Sequence, residues 1–438
     1  MAFDDPADAD EFFAEADRRA RERRERRRLR QDARRGRRMR PRPTHRFAET
    51  RHLASTPAGR ILIVAAAVIA LFTVIGLAAL WPHGGADRHH AQSAPPPTQG
   101  AKVTAVREIR CPGPTPQQCR QLRVAVGGRQ VPITLGPVNV SPRIHEGQRI
   151  RVAPVVQGVG PALPPGAERY SFVDVDRHGS VLLMGLAFAL AAMVLLWWRG
   201  LLAVVGVALS ILLLTTFLVP ALLQGRPALL VALVTALAVM FVTTVLTNGI
   251  GAQTLAAVLG ITATLLLACG LASACVALAH VDGRTDELSL ILSQQASSLS
   301  LRGVVLAGMI VGALGVLADT AVTQASAVMA LRRADPDLTA GGLYRGAFVV
   351  GRDHLSATIH TLVLAYAGAA LPLLLVMRSS GANTVDALNA QAIAEPVVAT
   401  IVGCLALMAA VPVTTGLASM LVSRVPAGLL PDGHGHHH

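Results

Sequence analysis

Val181 to Trp198 reads VLLMGLAFALAAMVLLWW, eighteen residues without a charge. After the break Arg199-Gly200, Leu201 to Leu222 repeats the pattern. As an α-helix, a run of this length matches the hydrocarbon layer of a bilayer. Two in succession decide the class: this is a chain built for a membrane.

Beyond Gly179 the sequence is almost continuous hydrocarbon. Further spans are predicted at Ala228 to Thr247, Leu255 to His280, Gly303 to Leu331, Leu355 to Met377 and Pro396 to Val422. Polar residues mark the breaks between them: Gln224-Gly225-Arg226-Pro227, Thr247-Asn248-Gly249, and Asp282 to Ser300. Within that last link Leu288, Leu290, Ile291 and Leu292 suit an interfacial amphipathic helix. Pro372 and Pro412 fall inside spans, where neighbouring helices tolerate the kinks they produce.

Upstream, Ile61 to Leu80 forms the first span. It starts too late for a cleavable signal peptide and is long enough to cross. Eight spans result. Apolar residues make up 52% of the 438, and charged residues 15%, which excludes an ordinary soluble protein of this size. The charge is also unevenly placed, with seventeen arginines between Arg18 and Arg51. Lys102 is the only lysine among 40 basic residues, a bias that fits a GC-rich bacterial genome.

The expected organisation is therefore a basic, solvated N-terminus (1–57), a first transmembrane helix (58–81), a linker and small β-rich domain (82–178), a seven-helix membrane domain (179–424) and a histidine-containing tail (425–438). The fold class is an all-α polytopic bundle of about eight transmembrane helices with a small extracytoplasmic β domain between spans one and two. The N-terminal arginines hold their end in the cytoplasm. A sharper role for them is adhesion to anionic lipid. Nucleic-acid binding lacks any supporting motif or aromatic interleaving. Both termini are then expected in the cytoplasm of a bacterial plasma membrane.

Four short strands are predicted in the β domain: Val103 to Val106, Leu122 to Val126, Gln130 to Leu135 and Arg149 to Val156. Gly127-Gly128 is a turn signal between two of them. A small barrel or sandwich fits, one too small to be very stable alone and expected to rest against the membrane domain. Cys111 and Cys119 flank a Pro-rich loop whose spacing suits a disulfide in an oxidising compartment. Cys269, Cys275 and Cys404 sit in apolar runs as small packing residues.

Ionisable groups within spans are expensive, so each needs an account. Asp319, Thr323 and Ser326 share one helical stripe, widened by Thr320 and Gln324, while Gly308, Gly312 and Gly315 let another helix approach. The next span opens with Arg352, Asp353 and His354, and carries His360 further in. Asp319 lies thirteen residues before Arg332, roughly 20 Å, and His360 eight residues past Arg352, roughly 12 Å. Asp319 and His360 are therefore expected to face each other at similar depth. Two readings stand for this set: a buried contact that fixes helix packing, or a protonatable site along a permeation pathway. The histidine tail (Gly433 to His438) suits a divalent metal no better than it suits an incidental extension, and no metal quartet, nucleophile elbow, phosphate loop or HExxH motif is present. No enzyme activity, metal or cofactor is expected.

The stretch Gly315 to Ser326, with Gly351-Arg352-Asp353-His354 and Thr361 to Pro372, resembles the YibE/F-like family of bacterial membrane proteins. Tyr170 to Arg177 and Asn248 to Thr254 share the likeness, which runs from about Lys102 to Arg424. The resemblance implies an integral membrane protein with an extracytoplasmic β domain, and it supplies no substrate. The leading expectation is a permease for a small solute or ion, with its site between the Asp319 and His360 helices. A non-transporting envelope scaffold that presents the β domain to a partner is the alternative, and a membrane-embedded lipid enzyme stands third.

Overall fold

The computed structural model describes residues 54–82, 97–111, 117–155, 170–284, 299–381 and 383–425. The arginine-rich N-terminus, most of the 82–98 linker, Leu288 to Leu292 and the histidine tail lie outside them. Among the described residues, eight helices are long and apolar enough to cross a membrane. These are α1 (Pro57–Leu80), α2 (His178–Leu196), α3 (Trp198–Leu223), α4 (Ala228–Asn248), α5 (Ala252–Leu278), α6 (Leu301–Ala334), α7 (Ala340–Ser379) and, after the short α8 (Thr384–Asn389), α9 (Gln391–Val422).

Their exposure pattern needs lipid. Helix α2 has no buried residue, and Val181, Leu183, Leu186, Leu190 and Val194 along its length are all exposed. Water would leave that surface uncovered; a bilayer solvates it. In α3 the ladder widens into a π-turn at Leu214–Leu218, where Pro220 has no N–H to offer the preceding turn.

The chain forms two compact units. Among the described residues, one comprises 54–74, 248–280, 308–381 and 383–425. Its core interleaves Ala252, Ala256 and Leu259 of α5 with Ala325, Val328 and Met329 of α6, Leu343 and Ala347 of α7, and Ala418, Leu421 and Val422 of α9. Leu62, Ile63 and Ile69 of α1 pack against this cluster. Five of its twelve buried members are alanine, which lets helices approach closely where apolar lipid offers no hydrophobic drive.

The second unit takes its described residues from the 75–247 and 281–307 stretches and contains α2 to α4. Here the Trp81 ring tilts against Phe217 at 5.7 Å. The unit also holds a five-stranded antiparallel sheet: β1 (Gln99–Arg110), β2 (Gln118–Val126), β3 (Arg129–Pro137), β4 (Arg149–Pro154) and β5 (Tyr170–Val175), in the order β3-β2-β1-β4-β5. The sheet curls until β3 approaches β5. Its core is Ala101, Val103, Leu122, Val124, Ile133, Ile150 and Val152, from alternate positions of the first four strands. Gly127 and Gly128 make the β2–β3 turn with φ of +53° and +80°, a region open to glycine. The Cys111–Cys119 disulfide closes the β1–β2 connection.

Two features depart from the sequence reading. Strand β5 was not expected, because its identity rests on pairing with β4, from Pro154 opposite Tyr170 to Ile150 opposite Val175. Helix α7 begins at Ala340 instead of Leu355, fifteen residues early. The Thr339 hydroxyl caps it by accepting from the Gly342 N–H at 3.2 Å, so the link from α6 shrinks to a tight turn. At 40 residues α7 is about 60 Å long, twice a hydrocarbon layer of ~30 Å, and its charged first third carries no hydropathy signal.

Candidate functional site

Helices α6 and α7 run antiparallel, and a ladder of contacts fixes their register. Leu331 meets Gly346, Gln324 meets Gly351, Asp319 meets His354, and the Tyr366 hydroxyl reaches Gly312. Each step down α6 is matched by a step up α7. This register decides which candidate residues come together.

Asp319 Oδ2 lies 4.0 Å from His354 Nε2. The carboxylate is 72% exposed and the imidazole 37%, so the pair sits at the side of the unit, open on the carboxylate side. His354 Nε2 itself is enclosed and makes no hydrogen bond. Asp319 is fifteen residues from the end of α6 and His354 fourteen from the start of α7, both about 21–22 Å by helical rise. They are co-deep, near the middle of α6.

His360 does not join them. Its Nδ1 lies 2.7 Å from the Ser356 carbonyl of its own helix, and the ring is exposed. It stands six residues beyond His354, about 9 Å further along the axis. Equating the depths of Arg332 and Arg352 placed it beside Asp319, but Arg352 is already three turns inside α7. Arg352 and Asp353 are exposed, and Thr323 is half-buried. Ser326 accepts a hydrogen bond from the Gln253 amide of α5 at 2.5 Å.

The fully buried member is Gln324. Its Oε1 accepts from the Thr415 hydroxyl of α9 at 2.9 Å, whereas its Nε2 has no partner. A Cβ at position 351 would stand 2.6 Å from both amide heteroatoms, so only glycine lets α7 close over this side chain. Thr320 Oγ1, one turn away on the same face of α6, is also buried and unpaired. So are Thr414 Oγ1 and Ser419 Oγ on α9, and Thr414 presses against Gly260 of α5 at 2.5 Å from where a Cβ would be. Five threonines in these helices satisfy their hydroxyls on the carbonyl four residues back, Thr262 and Thr358 among them. The hydroxyls of Thr320, Thr414 and Ser419 do not. Reading ionisable residues alone missed Thr414, Thr415 and Ser419; three hydroxyls within six residues near the C-terminal end of α9 were the available signal.

Chemically, the arrangement sets a carboxylate and an imidazole beside a band of unpaired donors and acceptors. Buried groups without partners each cost about 1–3 kcal/mol, so natural structures keep few of them without use. A sequence model of YibE/F-like proteins matches residues 184–424. The chain belongs to the YibE/F-like family. The matched region opens within α2 and contains every residue of the α6–α7 ladder, while the sheet precedes it. No curated protein and no solved structure matches this YibE/F-like chain.

Proposed function

We propose that this YibE/F-like membrane protein is a permease of the bacterial plasma membrane, with a polar path that follows the α6–α7 seam past Asp319, His354 and Gln324. The observation that carries the reading is the Gln324 amide, held in a four-helix core with its N–H groups unpaired one turn from an unpaired Thr320. Such donors suit a passing solute, ion or water better than they suit packing. The Asp319–His354 pair sets a carboxylate and an imidazole 4.0 Å apart, two groups able to take up and release a proton. The protein acts as a carrier in this reading, not as an enzyme.

In orientation, both termini face the cytoplasm and the sheet lies outside. The arginines before α1 support this, and so does the Cys111–Cys119 bridge, which an oxidising compartment favours. The same arginines would hold the N-terminus on anionic lipid. One observation favours the scaffold alternative: the sheet has a complete apolar core of its own.

Proton flux tests the reading. Full-length protein in pyranine-loaded proteoliposomes, driven by a potassium diffusion potential, should acidify the lumen faster than protein-free vesicles. Equal rates sink the proton-coupled pathway. Rescue of a deletion phenotype by the sheet anchored through α1 alone would favour the scaffold instead.

A further inference from the structure

The outer face of the sheet carries a basic rung at one end. Lys102 of β1 stands directly opposite Arg149 of β4, and both are exposed. Two like charges in directly paired positions repel each other, their Cβ atoms about 5 Å apart. Arg123 of β2 lies diagonally from Lys102 on the same face, beyond Ala125. Arg151, two residues along from Arg149, donates to the Thr98 hydroxyl at 2.7 Å. Among the described residues no carboxylate lies within ion-pair distance of Lys102, Arg123 or Arg149. Asp174 stands opposite Arg151, but Arg177 engages its carboxylate at 2.8 Å, and that guanidinium together with the Val175 N–H holds the carboxyl below its ordinary range. The Asp176 carboxylate accepts from the His178 N–H at the start of α2.

Position gives this charge a partner. The Asp176 N–H donates to the Arg149 carbonyl at 3.0 Å, and α2 starts two residues later at His178. From Val181 onward α2 is apolar and has no buried residue, and a hydrocarbon layer beginning there would set the headgroup layer at the Lys102–Arg149 rung. The only two aromatic residues of the strands, Tyr170 and Phe172, pack on the core, so the face has no stacking platform for nucleobases.

We propose that the Lys102–Arg149 end of the sheet docks on the phosphates of anionic phospholipid headgroups in the leaflet where α2 begins. The charge match seats the sheet on the membrane and relieves the repulsion within the rung. This holds whichever leaflet it is, and does not depend on transport.

Hydrogen exchange on the full-length protein in nanodiscs provides the test. Segments Gln99–Lys102 and Arg149–Pro154 should exchange about tenfold more slowly in phosphatidylglycerol-containing discs than in pure phosphatidylcholine discs. The Lys102→Glu/Arg149→Glu double variant should lose that difference. Arg110→Glu, about 26 Å away along β1, should keep it. Should the glutamates disrupt the sheet, seen as lost protection in β2, the Lys102→Gln/Arg149→Gln pair replaces them. Equal exchange in both lipids overturns the proposal, as does equal loss in Arg110→Glu. Soluble polyphosphate that protects the same segments in phosphatidylcholine discs as strongly as phosphatidylglycerol does would overturn it too, in favour of a polyanion from solution.

Discussion

Gly351 lies against Gln324 so closely that a Cβ at 351 would stand 2.6 Å from both heteroatoms of the amide. Backbone and side chain meet there because α7 has nothing to interpose. The contact fixes the register that sets Asp319 against His354, since both pairs are rungs of one ladder.

Gly351→Ala should therefore destabilise the protein by about 1–3 kcal/mol, the usual range for overpacking a close contact. Thermal unfolding in detergent checks this. Adding Gln324→Ala should recover part of the loss, because the two positions touch and their effects are not additive.

Gln324→Leu separates stability from function. It removes unpaired buried N–H groups and keeps the volume, but it also takes the acceptor from the Thr415 hydroxyl, so the two effects oppose and unfolding should shift by no more than about 1 kcal/mol. Flux should nevertheless fall. Thr415→Val does the opposite to the amide: it leaves Oε1 without its 2.9 Å donor and should destabilise by about 1–2 kcal/mol. A Gln324→Leu protein that melts earlier yet transports normally would make the amide purely structural.

Much of this was legible in the sequence. The eight helices follow from runs of hydrocarbon that only lipid can solvate, and the Gly127-Gly128 turn and the cysteine bridge were readable from local chemistry. The start of α7 was not, because a helix that outruns the bilayer carries charge in its extra turns and hydropathy reads those as a loop. That error propagated. It moved the expected partner of Asp319 from His354 to His360, six residues along. Strand β5 and the hydroxyls of α9 were hidden for a related reason: a strand is defined by its pairing and a buried hydroxyl by its missing partner, and neither is a property of the residue alone.

The Cys111–Cys119 bridge closes a short loop, so Cys111→Ser/Cys119→Ser should lower the stability of the sheet by about 2–3 kcal/mol. Loss of hydrogen-exchange protection confined to β1 and β2 would show it. Orientation is checked separately by placing a cysteine at the exposed Val140 and labelling intact cells with a membrane-impermeant maleimide. Labelling from outside is the expected result.

His360→Ala should leave proton flux within about twofold of the parent, since its ring lies about 9 Å along α7 from the pair. Full loss in that variant, with His354→Gln unaffected, would restore the other pairing.

The most direct measurement is proton flux through Asp319→Asn in proteoliposomes, with protein incorporation matched to the parent. Asparagine keeps the shape and removes the proton acceptor that faces His354, so flux should fall by about a hundredfold, the scale of losing a positioned proton-transfer group. Flux equal to the parent in both Asp319→Asn and His354→Gln would contradict a pathway through this pair, and would leave α6 and α7 as packing alone.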